Sequence, residues 1–149
     1  MAEDQVNACT DGVSRPQVDL LRLRARWLVG QSPPVPIYIT FQFDQLRPFT
    51  VATTFEPDGR PPVTWHISRE LLHDGLVQRS GSEDVYLWPW WTGASWVLCI
   101  RLCQQRKTAL FEVDLEAVEH WLSDTYDVVP AAEELNGIDW EALVAHLLG

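Results

Sequence analysis

Ile37-Tyr38-Ile39-Thr40-Phe41-Gln42-Phe43 is the stretch of this sequence that decides its fold. Its odd-numbered residues are large and apolar, and the residues between them carry polar groups. This period of two, in β-branched and aromatic residues, predicts a β-strand with one buried face. The same period recurs on both sides of the stretch, so we expect an antiparallel sheet.

The alternation extends outward to further predicted strands. In the predicted strand Leu21–Val29, apolar residues alternate with Arg22, Arg24 and Arg26. We assign Trp65, with Val63 and Ile67, to a buried face. Turns are predicted at 57–61, where Gly59 supplies a positive φ, and at 104–107, which closes a hairpin. The predicted strands are Leu21–Val29, Phe49–Phe55, Val63–Ile67, Leu76–Arg79, Asp84–Trp88, Trp96–Leu102 and Thr108–Val113.

Helical patterns interrupt and then follow these strands. Ser68 can cap a short helix that Gly75 ends as the C′ residue. After residue 113 the apolar period becomes 3.6, with Asp114 as N-cap, and a second such pattern follows Asp139. The sequence therefore predicts an α+β fold, in which a twisted antiparallel β-sheet carries a short internal helix and two C-terminal helices. Residues 1–16 lack periodicity and are predicted to be a disordered N-terminal extension of a domain spanning 17–149.

Charge and cysteine content narrow the class of protein. The 149 residues carry a net charge of −10, and the imbalance lies wholly after residue 107, so the body of the chain is neutral. Three cysteines are an odd and sparse set, which favours a reducing, cytoplasmic setting. No apolar run approaches the roughly 20 residues that cross a bilayer, and we expect no membrane insertion.

The search for catalytic chemistry is largely negative. The sequence contains no glycine-rich phosphate loop, no metalloprotease motif and no nucleophile elbow. Cys99 and Cys103 would lie about 13 Å apart on one strand, too far to share a zinc ion, and we interpret them as buried apolar residues. His66 is expected to face solvent or a subunit neighbour. We therefore expect no enzyme activity and no cofactor.

Two surface features remain as candidate binding sites. The first is the aromatic run Trp88-Pro89-Trp90-Trp91, near Trp96; we assign Trp88 to the core, opposite Tyr86, and expect at least one of Trp90 and Trp91 to be exposed because Pro89 interrupts the strand. We propose Trp90, Trp91 and Tyr86 as partner-binding residues. The second is the stripe of Arg22, Arg24 and Arg26, which is typical of solvated edge residues or, alternatively, of a nucleic-acid track.

Several segments resemble the SsgA-like family of sporulation and cell division regulators of actinobacteria. Trp65-His66-Ile67-Ser68-Arg69-Glu70-Leu71-Leu72-His73-Asp74-Gly75-Leu76 is similar to the family motif Trp-x-Phe-Ser/Ala-Arg-Asp/Glu-Leu-Leu-x-x-Gly-Leu. Four further segments match in order and spacing, so that the resemblance covers about 17–149. The first runs from Phe43-Asp44 to Val51, and the second combines Gly81 with Asp84-Val85 and Trp88-Pro89. The third combines Trp121-Leu122 and Thr125 with Val129-Pro130 and Glu134, and the fourth is Ile138–Leu148.

The resemblance implies both a fold and a role. The fold is a Whirly-like sheet assembled as a homotrimer. The role is that of a non-enzymatic scaffold or recruiter at the division septum, acting in FtsZ ring positioning and cell-wall remodelling, with FtsZ or other SsgA-like proteins as partners. Two alternatives stay open: a single-stranded nucleic-acid-binding protein that uses Arg22, Arg24 and Arg26, and a hydrolase of cell-wall polymer.

Overall fold

One antiparallel sheet of eight strands organises the chain, in the order β4-β3-β2-β1-β8-β7-β6-β5. The computed structural model describes residues 17–133. The strands are β1 (Leu21–Leu28), β2 (Val35–Phe43), β3 (Thr50–Pro57), β4 (Val63–Ser68), β5 (Ser80–Ser82), β6 (Val85–Trp91), β7 (Trp96–Gln104) and β8 (Lys107–Asp114). Helix α1 (Arg69–Gly75) follows β4, and helix α2 (Leu115–Val128) follows β8. Four strands and a helix thus occur twice in succession, and the two units join where β1 pairs with β8.

The sheet is strongly curled, and its core lies on the concave side. Phe55 on β3 and Phe111 on β8 are separated by two strands, yet their ring centroids lie 4.6 Å apart. Across a flat sheet these rings could not meet, since neighbouring strands are about 4.8 Å apart. The stretch Ile37–Phe43 faces this core as predicted, with Ile37, Ile39 and Phe41 buried. The α+β class and the antiparallel sheet are confirmed.

Helix α1 begins as its sequence predicts but ends differently. Ser68 Oγ accepts a hydrogen bond from Leu71 N at 3.1 Å, which is the predicted N-cap. Gly75 is the last helical residue and not a left-handed C′ residue, so that part of the prediction is wrong. Its lack of a side chain matters for packing, because a Cβ there would lie 2.5 Å from Leu87 Cβ. Glycine lets α1 lie directly on β6.

Helix α2 has the predicted N-cap and covers the core with one face. Asp114 Oδ2 accepts from Ala117 N at 3.0 Å as N-cap, and Val118, Trp121, Leu122 and Thr125 are buried. The two helices meet through Arg69 of α1, whose Nη1 donates to the Thr125 carbonyl oxygen at 3.0 Å. The side chain of Arg69 is fully buried, so this arginine is part of the core.

Other predictions about the chain need correction. The predicted strand Leu76–Arg79 is wrong: Val77 N and Gln78 N both donate to the Asp74 carbonyl oxygen in a turn that ends α1. On β4 only Ile67 is fully buried; Trp65 is half-buried and Val63 is exposed, because β4 is an edge strand. The hairpin turn at 104–107 is confirmed, with positive φ at Gln105 and Arg106.

The remaining structural predictions concern the ends of the chain. Residues 1–16 and the helical pattern after Asp139 lie outside the described residues. Between residues 17 and 133, neither helix is long and apolar enough to cross a membrane.

Candidate functional site

Three exposed tryptophans crowd the end of the β6–β7 hairpin. Trp90, Trp91 and Trp96 are 56%, 50% and 53% exposed, and we call them the tryptophan tip. Trp91 lies opposite Trp96 in the strand register, with ring centroids 5.6 Å apart. Trp90 points to the other face of the hairpin, since neighbouring residues of a strand alternate. The hairpin therefore ends in aromatic surface on both faces.

The turn beneath the tryptophan tip is held by its own hydrogen bonds. Thr92 N donates to the Ser95 carbonyl oxygen at 3.0 Å, while Thr92 Oγ1 accepts from Ala94 N at 3.3 Å and Ser95 N at 3.2 Å. Gly93 takes φ +96°, which a residue with a Cβ rarely adopts. The indoles are thus presented by a fixed turn.

The expected exposure in the aromatic run is confirmed, but its predicted cause is wrong. Strand β6 continues through Pro89, which lies opposite Leu98 of β7, and ends at Trp91. Proline fits there because β5 pairs with β6 only as far as Leu87, so nothing between residues 17 and 133 pairs with β6 on its other side at Pro89. Trp91 and Trp96 are exposed because their pair lies beyond the last β7–β8 pair, Val97 with Asp114, and Trp90 is exposed on the opposite face of the hairpin.

The assignment of Trp88 to the core is also wrong. Tyr86 and Trp88 are two residues apart and share one face of β6, so they cannot point in opposite directions. Leu87 between them is the buried residue, and both aromatic rings lie on the outer face, half-buried. That Tyr86 binds a partner together with Trp90 and Trp91 stays a prediction.

Two arginines that the sequence analysis did not select fix these outer-face rings. The guanidinium of Arg79 lies 4.9 Å from the Trp88 ring centroid, and that of Arg101 lies 4.6 Å from the Tyr86 ring centroid. Tyr86 Oη also accepts from Glu83 N at 3.2 Å. Tyr86 and Trp88 therefore support the base of the tryptophan tip.

The arginine stripe (Arg22, Arg24 and Arg26) lies on the outer face of β1, at the centre of the sheet. The three arginines are exposed as predicted, but the prediction of an edge strand is wrong, because β1 pairs with both β2 and β8. Arg22 Nε lies 3.5 Å from Glu56 Oε2, and Arg26 Nη1 lies 3.6 Å from Glu112 Oε1. Each carboxylate comes from another strand of the same sheet.

Tyr38 supplies the partner for the middle arginine. Arg24 Nη1 donates to Tyr38 Oη at 3.4 Å, and the Arg22 guanidinium lies 3.8 Å from the Tyr38 ring centroid. The hydrogen bond and charge of Arg24 lower the pKa of the Tyr38 phenol, with a smaller contribution from Arg22. Every arginine of the stripe is thus engaged within the chain.

The described residues offer little for catalysis. Cys99 is buried, and burial together with Glu112 raises the pKa of its thiol to about 12, so it is a poor nucleophile. Cys103 is half-buried, and His66 is exposed as predicted. From residue 17 to residue 133, no group of three or more His, Cys, Asp or Glu residues could hold a metal ion.

Trp96 was noted in the sequence but not selected as a binding residue. The signal that could have found it is the register, since Trp91 and Trp96 flank the segment Thr92-Gly93-Ala94-Ser95. A hairpin closed by that segment must place the two indoles opposite each other.

The chain is similar to a family model and to several known proteins. A family model described as "Streptomyces sporulation and cell division protein, SsgA" matches residues 37–134. The sporulation-specific cell division protein SsgB of Streptomyces coelicolor is 30% identical over 85% of this chain and 92% of its own length. The SsgB protein of Frankia casuarinae is 31% identical over 85% of this chain and 88% of its own.

A solved structure shares the fold. The crystal structure of an SsgA-like sporulation-specific cell division protein from Thermobifida fusca superposes with a TM-score of 0.78 at 27% identity. The match covers 89% of this chain and 97% of that one.

Proposed function

Because the chain belongs to the SsgA family of sporulation and cell division proteins, we propose that it is a non-enzymatic scaffold that recruits a protein partner to the division septum through the tryptophan tip. Membership supports a role in cell division during sporulation. The scaffold role, the septal site and the tip as docking surface are our proposal.

The exposure of three indoles on one fixed turn carries this proposal. Tryptophan is enriched among the few residues that dominate binding energy at interfaces, because a large rigid ring is buried at small cost in conformational entropy. No charged residue occurs between Asp84 and Arg101, so a partner could cover the tip without desolvating a charge from this segment. A rigid turn also reduces the ordering cost of association.

The arginine stripe supports a protein partner over nucleic acid. Phosphate binding requires cationic groups that can replace counterions along the backbone. In this sheet the guanidinium groups of the stripe already contact Glu56, Tyr38 and Glu112, and two of those partners are anionic. A nucleic acid would have to displace these contacts.

The partners that we propose are FtsZ or another SsgA-like protein, and we expect the chain to act as a homotrimer. The resemblance to the SsgA-like family is what leads us to expect a trimer. Multi-angle light scattering should give about three times the 17.0 kDa chain mass. A monomer at micromolar concentration would contradict the trimer but not the docking role of the tip.

The experiment that tests the role replaces Trp90 and Trp91 with serine in a fluorescent fusion expressed in sporulating hyphae. Because both side chains are at least half exposed, the fold should persist while septal localisation is lost. Leu46→Ser and Val77→Ser provide matched controls, since these apolar side chains are 73% and 74% exposed elsewhere on the surface. Septal foci in the tryptophan variant that equal those of the controls would contradict the proposal.

A further inference from the structure

The curled sheet leaves an apolar cleft open at the end where β2 and β8 begin. The cleft measures about 530 Å³ and lies between the edge strand β4 and the end of β7. Its walls are formed by the apolar side chains of Trp27, Phe55, Val63, Trp65, Leu102 and Phe111. Val63 is 52% exposed, which is unusual for a valine on the concave side of a sheet.

The backbone of β4 adds unpaired hydrogen-bonding groups beside this cleft. Arg69 N donates to the Phe49 carbonyl oxygen at 2.7 Å, in register with the β3–β4 ladder. In an antiparallel ladder hydrogen-bonded pairs alternate, so Val63, Trp65 and Ile67 bond to β3. The N–H and C=O groups of Thr64 and His66 therefore point to the outer edge of the sheet. No other strand between residues 17 and 133 pairs with that edge.

The charges around the cleft have one sign. Arg60 and Lys107 are its charged lining residues, both exposed, and no carboxylate from residues 17 to 133 lines it. The Arg60 guanidinium lies 5.4 Å from the Trp27 ring centroid, which holds this cation over the apolar wall. A ligand that fits here combines apolar side chains with negative charge.

We infer that β4 and this cleft form a second docking site, which accepts an extended partner segment that carries apolar and acidic residues on the same face. The segment pairs with the backbone of Thr64 and His66 as an added strand. Alternate side chains of an added strand point to one face, so its apolar residues enter the cleft against Val63 and Trp65. Its carboxylates lie near Arg60 and Lys107.

A second copy of this chain fits the site less well. Strand β4 reads Val-Thr-Trp-His-Ile-Ser and contains no acidic residue. Pairing of two β4 strands would leave Arg60 and Lys107 without opposite charges from the partner strand. An extended acidic segment supplies both the backbone groups that pair with β4 and the negative charge that attracts Arg60 and Lys107.

The test measures fluorescence anisotropy of a labelled peptide, added to the full-length protein, in which every second residue is valine or glutamate and the residues between them are threonine. The same peptide with lysine in place of glutamate is the matched probe of opposite charge. We expect saturable binding of the glutamate peptide only. Thr64→Pro removes the outward N–H of an edge residue and should weaken binding by at least about tenfold, whereas Thr64→Ala should not.

A charge reversal keeps the inference falsifiable if Thr64→Pro does not fold. The exposed pair Arg60→Glu and Lys107→Glu should exchange the preference, so that the lysine peptide binds and the glutamate peptide does not. Absence of saturable binding by the wild type, equal binding by a folded Thr64→Pro variant, or an unchanged preference after charge reversal would overturn the inference. Concentration-dependent self-association that Thr64→Pro abolishes would assign the edge to a second copy instead.

Discussion

The tryptophan tip and the arginine stripe both stand out in the sequence, but their surroundings differ. The arginines lie on a central strand, and contacts with Glu56, Tyr38 and Glu112 engage them within the sheet. The tryptophans lie where a hairpin leaves the sheet, and half or more of each indole faces water. The arginines, engaged within the sheet, serve the fold, whereas the half-exposed indoles leave apolar surface available for a partner.

The largest effect we expect comes from comparing a core tryptophan with one of the tip. Trp121 is buried against Phe41, with ring centroids 5.9 Å apart, and its Nε1 donates to the Asp19 carbonyl oxygen at 2.7 Å. Trp121→Ala should lower the free energy of unfolding by about 3–5 kcal/mol. Trp90→Ala should change it by less than about 0.5 kcal/mol. Chemical denaturation measures both, and similar losses would mean that the tip is part of the core.

Removing the charges of the arginine stripe should have a smaller effect on the free energy of unfolding. Exposed ion pairs contribute about 0–1 kcal/mol each, so replacing Arg22, Arg24 and Arg26 with glutamine should cost at most about 2 kcal/mol in total. The cost should shrink when the denaturation is repeated in high salt, since salt screens exposed pairs. Unchanged stability together with lost septal localisation would reverse the roles that we assign to the two regions.

The smallest effect is a local change in titration. Arg24 lowers the pKa of the Tyr38 phenol by stabilising the phenolate. Arg24→Gln should therefore raise this pKa toward the ordinary tyrosine value, and the variant should form tyrosinate at higher pH in an ultraviolet absorbance titration. A Tyr38→Phe variant identifies the signal. An unchanged titration would mean that Arg24 does not engage Tyr38 in solution, which would weaken the contrast between stripe and tip.

The sequence predicted local structure well where the period and the caps were clear. The stretch Ile37–Phe43, the Ser68 and Asp114 caps and the turn at Gln105-Arg106 depend on neighbouring residues alone, and all are confirmed. Gly75 was identified as special, but the reason lies on β6, which no local pattern reveals. A glycine near a helix end looks the same whether it permits a left-handed turn or close packing.

The errors concern which strands pair and which face of a strand is buried, and local sequence patterns do not always reveal either. The stripe was interpreted as edge residues because nothing in 21–28 shows that β1 pairs with β8, whose sequence lies far along the chain. Trp88 was assigned inward although Leu87 faces the core, since an uncharged aromatic run offers no contrast between the two faces of a strand. The Whirly-like assembly, the homotrimer and the partner stay predictions from the resemblance.

The most direct test of the central claim compares the two regions in one binding measurement. Purified FtsZ, and separately another SsgA-like protein, would be titrated with the wild type, with a variant carrying Trp90→Ser, Trp91→Ser and Trp96→Ser, and with the triple glutamine variant of the stripe. For the partner that the wild type binds, we predict at least a hundredfold weaker binding by the tip variant, because hot-spot residues each contribute about 2 kcal/mol or more. We predict less than about threefold weaker binding by the stripe variant. The opposite order, with the stripe variant impaired and a folded tip variant binding normally, would contradict the account.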